Sequence, residues 1–396
     1  MPGDPIMRIG QFTESFRPVI NGVAVAVDLL SEELSRRHAV EIFAPRFPGY
    51  QDPHGENPGA IPVCRFASYF WPRNRDYPLA FPLSPANFRK FRSSGFDVVH
   101  THSPFALGQA GKRWARQLGI PVVTTYHTLY VAYSHYAHVV PEPLMRALLR
   151  RLSRDYCNAC DAVAVPTAPI RDVLLEYGVR TPITVIPTGL RLGPKPQRDP
   201  EYPRKALGIP ADALVVLYGG RLAREKNLEL LFEGFGRMAR DVPNAWLLIA
   251  GSGPSERDAL RMAEKTGAAD RIAFAGFVPP ERMTAVFAAA DLFAFASLTD
   301  TQGLVLTEAK AAGVPAVSVN AYGPSAVVTD GVDGLLTPND PAAFAAALRR
   351  LLMDNDLRAR MSAAAEQEAK KFSIEATTLA YEQLYAEGQE ALARRR

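Results

Sequence analysis

The chain has 396 residues, 47% hydrophobic and 22% charged, with a formal net charge of +4; this is globular composition, excluding a disordered chain, and the length fits two domains of roughly 150–200 residues. No apolar run approaches the ~18–20 residues of a membrane-crossing helix, and the first residues lack the basic-then-apolar order of a signal peptide. Three cysteines, Cys64, Cys157 and Cys160, are too few for a disulfide framework and point to a reducing, cytoplasmic compartment.

Residues 1–195 carry 22 Lys and Arg against 15 Asp and Glu, whereas the remainder carries 23 against 26. Basic charge confined to one half argues against nucleic-acid binding spread over the chain, but suits one face of one domain resting on anionic lipid.

Strand-like and helical runs alternate from the start. Strands are expected at Arg8–Phe12, Val40–Ala44, Asp97–His102, Pro121–Tyr126, Asp161–Pro166 and Ile183–Pro187, with helices near Val25–Arg37, Leu107–Leu118, Pro143–Cys157 and Pro169–Tyr177. The Pro- and Gly-rich stretch 191–205 reads as a linker between domains 1–190 and 206–372. The alternation then restarts with strands Leu214–Tyr218, Trp246–Ala250, Ile272–Ala275, Leu292–Ala296 and Ala316–Val319. Helices Leu228–Arg240, Glu256–Lys265, Glu281–Ala289 and Leu304–Ala312 lie between them, and a region dominated by helices follows. Residues 373–396 form a last helix expected to cross back to the first domain. Such alternation predicts two doubly wound α/β domains with ligands at the carboxyl ends of the strands, in the cleft between the domains.

The run from Ser297 to Glu308 places Asp300, Gly303 and Glu308 at a strand-to-helix turn. Gly303 opens a helix whose free N–H groups favour an anion such as a diphosphate. Glu308, about one and a half turns on, would accept hydrogen bonds from ribose hydroxyls. The plain alternative is a helix cap and a solvated carboxylate. The dinucleotide fingerprint G-x-G-x-x-G follows none of the expected strands, which disfavours a nicotinamide enzyme. Asn21-Gly22 precedes a helix and would let a phosphate or sugar approach the backbone. In Tyr218-Gly-Gly-Arg221-Leu-Ala-Arg-Glu-Lys226-Asn227, cations stand at a helix start where they oppose the dipole, which favours a bound anion over mere solvation.

His100, His102 and His127 close two strands of the first domain. Each would meet a sugar hydroxyl or serve only structure, and no carboxylate or thiolate cluster accompanies them for a metal. Cys157-x-x-Cys160 lacks redox context. Asp354-Asn-Asp356 lies between late helices and reads as a turn and cap, which favours metal-independent chemistry. Arg146, Arg150 and Arg154 share one helical stripe, with Arg151 beside them, while Met145, Leu148, Leu149, Leu152 and Tyr156 fill the other side. With the stretch Tyr69–Tyr77, which contains Trp71, Arg73 and Arg75, and with Phe88–Arg92, this suits a lipid headgroup interface.

Taken together, Asn21-Gly22, Tyr126-His127-Thr128, Gly220–Asn227, Gly251-Ser-Gly-Pro254, Gly276-Phe-Val and the Asp300–Glu308 segment resemble the retaining glycosyltransferases of the GT-B type, family 4, over nearly the whole chain. The segments His100–Gly108 and Thr299–Leu304 further resemble the bacterial diacylglycerol glucosyltransferases. The resemblance implies a nucleotide-sugar donor, UDP-glucose, held through its diphosphate by Arg221 and Lys226, through its ribose by Glu308, and through backbone at Gly303, Leu304 and Val305. Gly22 would meet the diphosphate from the first domain, and His127 would lie beside the transferred sugar. Asp300 stands where most members have the first Glu of an E-x(7)-E pair, a departure that shortens its reach by about 1–1.5 Å. The resemblance also implies front-face transfer with retention, no metal or other cofactor, a lipid acceptor such as diacylglycerol, and peripheral attachment to the cytoplasmic face of the membrane; the alternatives are the same fold acting on a soluble or polysaccharide acceptor, or a GT-B nucleotide-sugar epimerase.

Overall fold

The computed structural model describes residues 6–52, 60–71, 74–82, 84–136, 140–197, 199 and 201–395. It divides into two compact units, Met1–Arg191 with Ser373–Arg396, and Leu192–Phe372.

In the first unit, β1 (Arg8–Phe12), β2 (Ala39–Pro45) and β3 (Val63–Phe66) precede an antiparallel hairpin of β4 (Ser68–Trp71) and β5 (Asn74–Ala80). Then come β6 (Val98–Thr101), β7 (Val122–Thr125), β8 (Ala162–Val165) and β9 (Ile183–Val185). Seven of these form a parallel sheet in the order β3-β2-β1-β6-β7-β8-β9. The second unit has β10 (Leu214–Gly219), β11 (Ala245–Ala250), β12 (Ile272–Gly276), β13 (Leu292–Phe295), β14 (Ala316–Val319) and β15 (Gly334–Thr337). Its order is β12-β11-β10-β13-β14-β15. Short Val-, Ile- and Phe-rich runs are buried on both faces, as helix-covered parallel strands require.

Both sheets reverse their winding once, between β1 and β6 and between β10 and β13. The loops leaving the carboxyl ends of those four strands are where doubly wound sheets hold ligands. At the opposite ends a recurrent device sets the register. Asp97, Asp161 and Asp291 each stand immediately before a strand and accept the N–H of a residue on the neighbouring strand: Arg8 at 2.7 Å, Val122 at 2.8 Å and Val215 at 2.7 Å. Asp161 and Asp291 are also neutralised by Arg116 and Arg204 at 3.0 and 3.1 Å, so these carboxylates are not left buried and unpaired.

The helix expected at Val25–Arg37 runs from Gly22 to Leu34, because the Asn21 side chain accepts the Ala24 N–H at 2.9 Å and starts it earlier. β3, the hairpin and β15 lie where no strand was expected. β15 falls within the stretch read as dominated by helices; Gly334-Leu-Leu-Thr337 offers only two strongly apolar residues, against the unbroken apolar run Leu292–Phe295.

The last helix, Ile374–Arg395, packs on the first sheet, where Tyr381, Leu384 and Tyr385 are buried with Ile9, Val98 and Val123. Its entry is pinned by the Ile374 N–H to the Leu190 carbonyl at 2.9 Å and by the Thr377 hydroxyl to the Pro187 carbonyl at 3.0 Å. Gly189 lies against this entry: a Cβ there would sit 2.6 Å from the Ile374 Cα and 2.7 Å from Thr377 Oγ1, whereas Gly193 faces open space. Gly189→Ala is therefore expected to destabilise the protein by about 1–3 kcal/mol and Gly193→Ala to stay within about 0.5 kcal/mol, measured by urea unfolding; equal effects would contradict this packing.

Candidate active site

In the second unit the loop after β10 and the loop after β13 meet through one ion pair. Lys226 Nζ donates to both carboxylate oxygens of Asp300 at 2.8 Å. Burial alone would lower the Lys226 pKa, but the Asp300 carboxylate outweighs it and holds the ammonium above its ordinary value. The backbone is bent to make this possible. Asn227 adopts left-handed φ of 54°, and its side-chain amide donates to the Ala296 carbonyl at 3.1 Å and to Asn339 Oδ1 at 2.9 Å. A non-glycine residue in that region is a strained conformation, held here by bonds to the end of the neighbouring strand.

Arg221 is held by Glu225 at 3.3 Å, and its carbonyl accepts the Tyr218 hydroxyl at 3.0 Å. The cations that oppose the helix dipole are thus accompanied by carboxylates of this chain, Glu225 and Asp300. That corrects the inference that their placement alone favours an external anion. Gly251 packs against this loop; a Cβ there would lie 1.8 Å from the Gly220 carbonyl oxygen.

Gly303, at φ 82° and ψ 74°, turns the chain into the helix Leu304–Ala311. A Cβ at Gly303 would meet the Phe295 ring at 2.9 Å, so position and packing both demand glycine. Leu304 and Val305 form the first turn, whose N–H groups have no acceptor within the helix. One turn on, the Glu308 carboxyl makes no hydrogen bond or ion pair with any described residue, and burial pushes its pKa up to about 7. The arrangement offers a cationic pair, a helix start and an unpartnered carboxyl to a ligand carrying a diphosphate and hydroxyls.

The first unit gathers a second group of residues. His127, after β7, has Nε2 2.9 Å from His102 Nδ1, and His102 Nε2 lies 2.8 Å from Gln11 Oε1 on β1. Burial lowers the His127 pKa to about 4, so the imidazole is neutral at pH 7. Burial, with help from the neighbouring rings, also holds His100 and His102 well below the usual value. His100 is occupied by Tyr385 and Thr125 at 2.9 and 2.7 Å, which makes it part of the core packing.

Glu14 escaped the sequence reading. Its carboxylate accepts the Leu107 N–H at 2.6 Å and the Ser103 hydroxyl, and burial raises its pKa to about 7 against the opposing backbone donors. It caps the helix Ala106–Leu118 from outside, because Phe105 at the cap position offers no side-chain acceptor. That missing cap was the available signal. Gly22 is exposed at the start of its helix, with Asn21 also donating to Ser15 Oγ at 2.6 Å.

The basic stripe differs from its expected form. In the helix Glu142–Asn158, Arg150 lies over the Tyr177 ring at 5.1 Å, Arg154 pairs with Asp155 at 2.8 Å, Arg151 meets Asp155 at 3.4 Å and Arg146 meets Glu142 at 3.6 Å. These cations are engaged locally. Leu148, expected on the packed side, is 49% exposed, and Leu144 is 53% exposed. The side chains of Trp71 and Arg75, and all of Arg73, lie outside the described residues. Cys157 and Cys160 are buried free thiols, with Cys157 pushed up to about 12 by burial, which makes them unreactive. Asp354 caps the helix Asn355–Ala369 by accepting the Leu357 N–H at 2.8 Å.

The Glu308 carboxyl sets a pH dependence. Its pKa is raised from 4.5 to about 7 in the folded chain, so the folded state binds the extra proton. The group's stability contribution is full below pH 4.5 and is lost as pH rises through 7. Glu308→Gln is expected to match the wild type near pH 4.5 and to exceed its stability by about 1–3 kcal/mol at pH 8. Urea unfolding at both pH values checks this, and a gap independent of pH would contradict it.

Residues 20–193 match the model of glycosyltransferase family 4, and residues 201–368 match that of glycosyl transferases group 1. The chain is 30% identical over 358 residues to an alpha-monoglucosyldiacylglycerol synthase of Streptococcus pneumoniae, covering 89% of this chain and 80% of that one. It is 30% identical over 392 residues to the enzyme of the same name from Acholeplasma laidlawii, covering 96% of each. A D-inositol 3-phosphate glycosyltransferase of Corynebacterium efficiens is 33% identical over 321 residues, covering 78% of this chain and 75% of that one. Among solved structures, Anabaena HepE in complex with UDP superposes with a TM-score of 0.75 at 20% identity, covering 95% of this chain and 99% of that one. A sucrose-phosphate synthase from Thermosynechococcus elongatus gives 0.78 at 22%, covering 96% and 98%. Two parallel-sheet Rossmann-like units, matches to both family models and relatives at 30% identity over most of their length lead to one conclusion: the chain is a glycosyltransferase of the GT-B fold and belongs to family 4.

Proposed function

We propose that this glycosyltransferase moves glucose from UDP-glucose to a membrane lipid such as diacylglycerol, with retention at the sugar carbon and without a metal or other cofactor. The observation that carries the reading is the 30% identity, over 89% and 96% of the chain, to two proteins named alpha-monoglucosyldiacylglycerol synthase. The donor half of the reading is supported by the residues around Lys226. Lys226 and Arg221 bring positive charge to the leaving diphosphate, the first turn at Gly303, Leu304 and Val305 presents N–H groups to phosphate oxygens, and Glu308 accepts from the ribose. Preorganised donors of this kind are worth several kcal/mol to a transition state in which charge grows on the leaving group. As the bond from the sugar carbon to the diphosphate breaks, the departing oxygen takes the proton of the acceptor hydroxyl. The acceptor oxygen then bonds to the same face of the sugar. Asp300 holds Lys226 in place.

The lipid half of the reading is supported by the exposed Leu144 and Leu148 among arginines on one helix, an amphipathic pattern suited to the interfacial region of a membrane. No described helix is long and apolar enough to cross one, and the proposed attachment is peripheral, on the cytoplasmic face. A second reading, a soluble phosphorylated acceptor, draws on the 33% identity to a D-inositol 3-phosphate glycosyltransferase.

A screen of nucleotide sugars against diacylglycerol vesicles and inositol phosphate separates the two. The expected result is consumption of UDP-glucose with a glucosyl lipid as product, and product only on inositol phosphate would replace the first reading with the second. Leu144→Glu combined with Leu148→Glu is expected to weaken co-sedimentation with anionic vesicles at least about tenfold, since burying two leucines contributes about 3–6 kcal/mol. UDP binding should be unchanged in that variant, and unaltered vesicle binding would remove this helix from the membrane contact.

A further inference from the structure

We infer that Gly323, Lys310 and Asp333 are positioning residues of the second unit's site: through the segment that follows β14 they hold the Asp300 loop and the helix Leu304–Ala311 in one fixed spacing. The joint between loop and helix is weak by itself. Gly303 makes the turn at φ 82°, and no side chain caps the helix that follows, so the local chain leaves the helix start free to pivot about that glycine. Two contacts made by residues 320–333 remove this freedom. At the near end the Gly323 N–H donates to the Asp300 carbonyl at 3.0 Å. Gly323 has φ −72° and ψ −48°, which suit any residue, so glycine is required there by space alone. A Cβ would lie 2.4 Å from the Asp300 carbonyl oxygen and 2.5 Å from the Gln302 nitrogen.

At the far end Lys310, in the last turn of the helix, places its ammonium 2.8 Å from Asp333 Oδ2 and over the Phe372 ring at 5.5 Å, and donates to the Val327 carbonyl. The two side chains are 6% and 0% exposed, so neither water nor salt competes for the pair. Asp333 is itself fixed to the sheet. Its Oδ1 accepts the Thr329 N–H at 3.0 Å, and Gly334 after it opens β15 in register with Ala316 of β14. Val327 closes the short helix Pro324–Val327, which begins directly after Gly323. Both contacts therefore belong to one stretch of chain anchored on the sheet, and the helix cannot tilt on Gly303 without breaking one of them. An apolar pair would bury the same space at no electrostatic cost. What the charges add is direction, because the ammonium must meet a carboxylate and a carbonyl at set places. The inference rests on the proposed donor only in giving Lys226 and the helix start a diphosphate to share; the clamp itself does not depend on what is bound.

Amide hydrogen exchange of the ligand-free protein, read by mass spectrometry, and calorimetric titration of UDP test this on Lys310→Met combined with Asp333→Asn and, separately, on Gly323→Ala. Neutralising both partners leaves no charge buried alone, so the double variant is expected to keep a urea midpoint much closer to the wild type than Lys310→Met by itself. Exchange in residues 303–308 should nevertheless rise about tenfold or more in the double variant and in Gly323→Ala, with β10 and β11 unchanged. UDP should bind about tenfold or more weakly to both. An ion pair that serves stability alone predicts instead that the double variant, once stable, exchanges and binds UDP like the wild type. Wild-type exchange in either folded variant overturns the inference, and so does wild-type affinity for UDP. If the wild type itself does not bind UDP while the variants loosen the helix as expected, the proposed donor fails and the clamp stands.

Discussion

The ion pair of Lys226 with Asp300 is the constraint on which the second unit's site depends. It joins the loop after β10 to the loop after β13, so two strands that flank the reversal of the sheet order are tied together at their carboxyl ends. A carboxylate and an ammonium each about four-fifths buried tolerate one another, but neither tolerates the loss of its partner without an uncompensated charge. The pair accounts for the presence of a cation at a helix start, and the left-handed Asn227 beside it is held by its own bonds to Ala296 and Asn339. It also shows how an aspartate serves at Asp300: its carboxylate is set by the lysine opposite it, so side-chain length matters through that contact.

The two units repeat one construction with different chemistry at its outlet. The first sheet is braced at its lower edge by Asp97 and Asp161 and the second by Asp291, each accepting a backbone N–H near the start of a neighbouring strand, while the loops at the upper edge carry the candidate site residues. Around β10 and β13 the loops present cations and a helix start, and that helix carries Glu308, whose carboxyl has no partner among the described residues. In the first unit Gln11 on β1 meets His102 after β6, which meets His127 after β7, with Glu14 fastening the helix that follows β6.

Much of the architecture was legible because unbroken apolar runs bounded by Gly, Pro and Asp leave few choices, as with Leu214–Gly219 and Leu292–Phe295. What was not legible was set by partners far away in sequence. β3 and β15 are short and find their place only by pairing with β2 and β14. Lys226 and Asp300 are 74 residues apart, and nothing local in either segment reveals that they meet. Arg146, Arg150, Arg151 and Arg154 form a helical stripe on paper, yet Tyr177, Asp155 and Glu142 engage them once the helix is docked. Glu14 looked like an ordinary loop residue because its role, capping a helix that begins at Ala106, depends on a chain crossing of more than 90 residues.

The central claim is that the charge on Lys226 is shared between Asp300 and the diphosphate of the donor. Calorimetric titration of UDP into the wild type, Lys226→Ala and Asp300→Asn, each verified as folded, tests it most directly. The account predicts that Lys226→Ala weakens UDP at least about tenfold, or about 1.4 kcal/mol, while Asp300→Asn, which leaves the whole ammonium charge to the ligand, binds UDP as tightly as the wild type or more so. A Lys226→Ala protein that binds UDP like the wild type would contradict it.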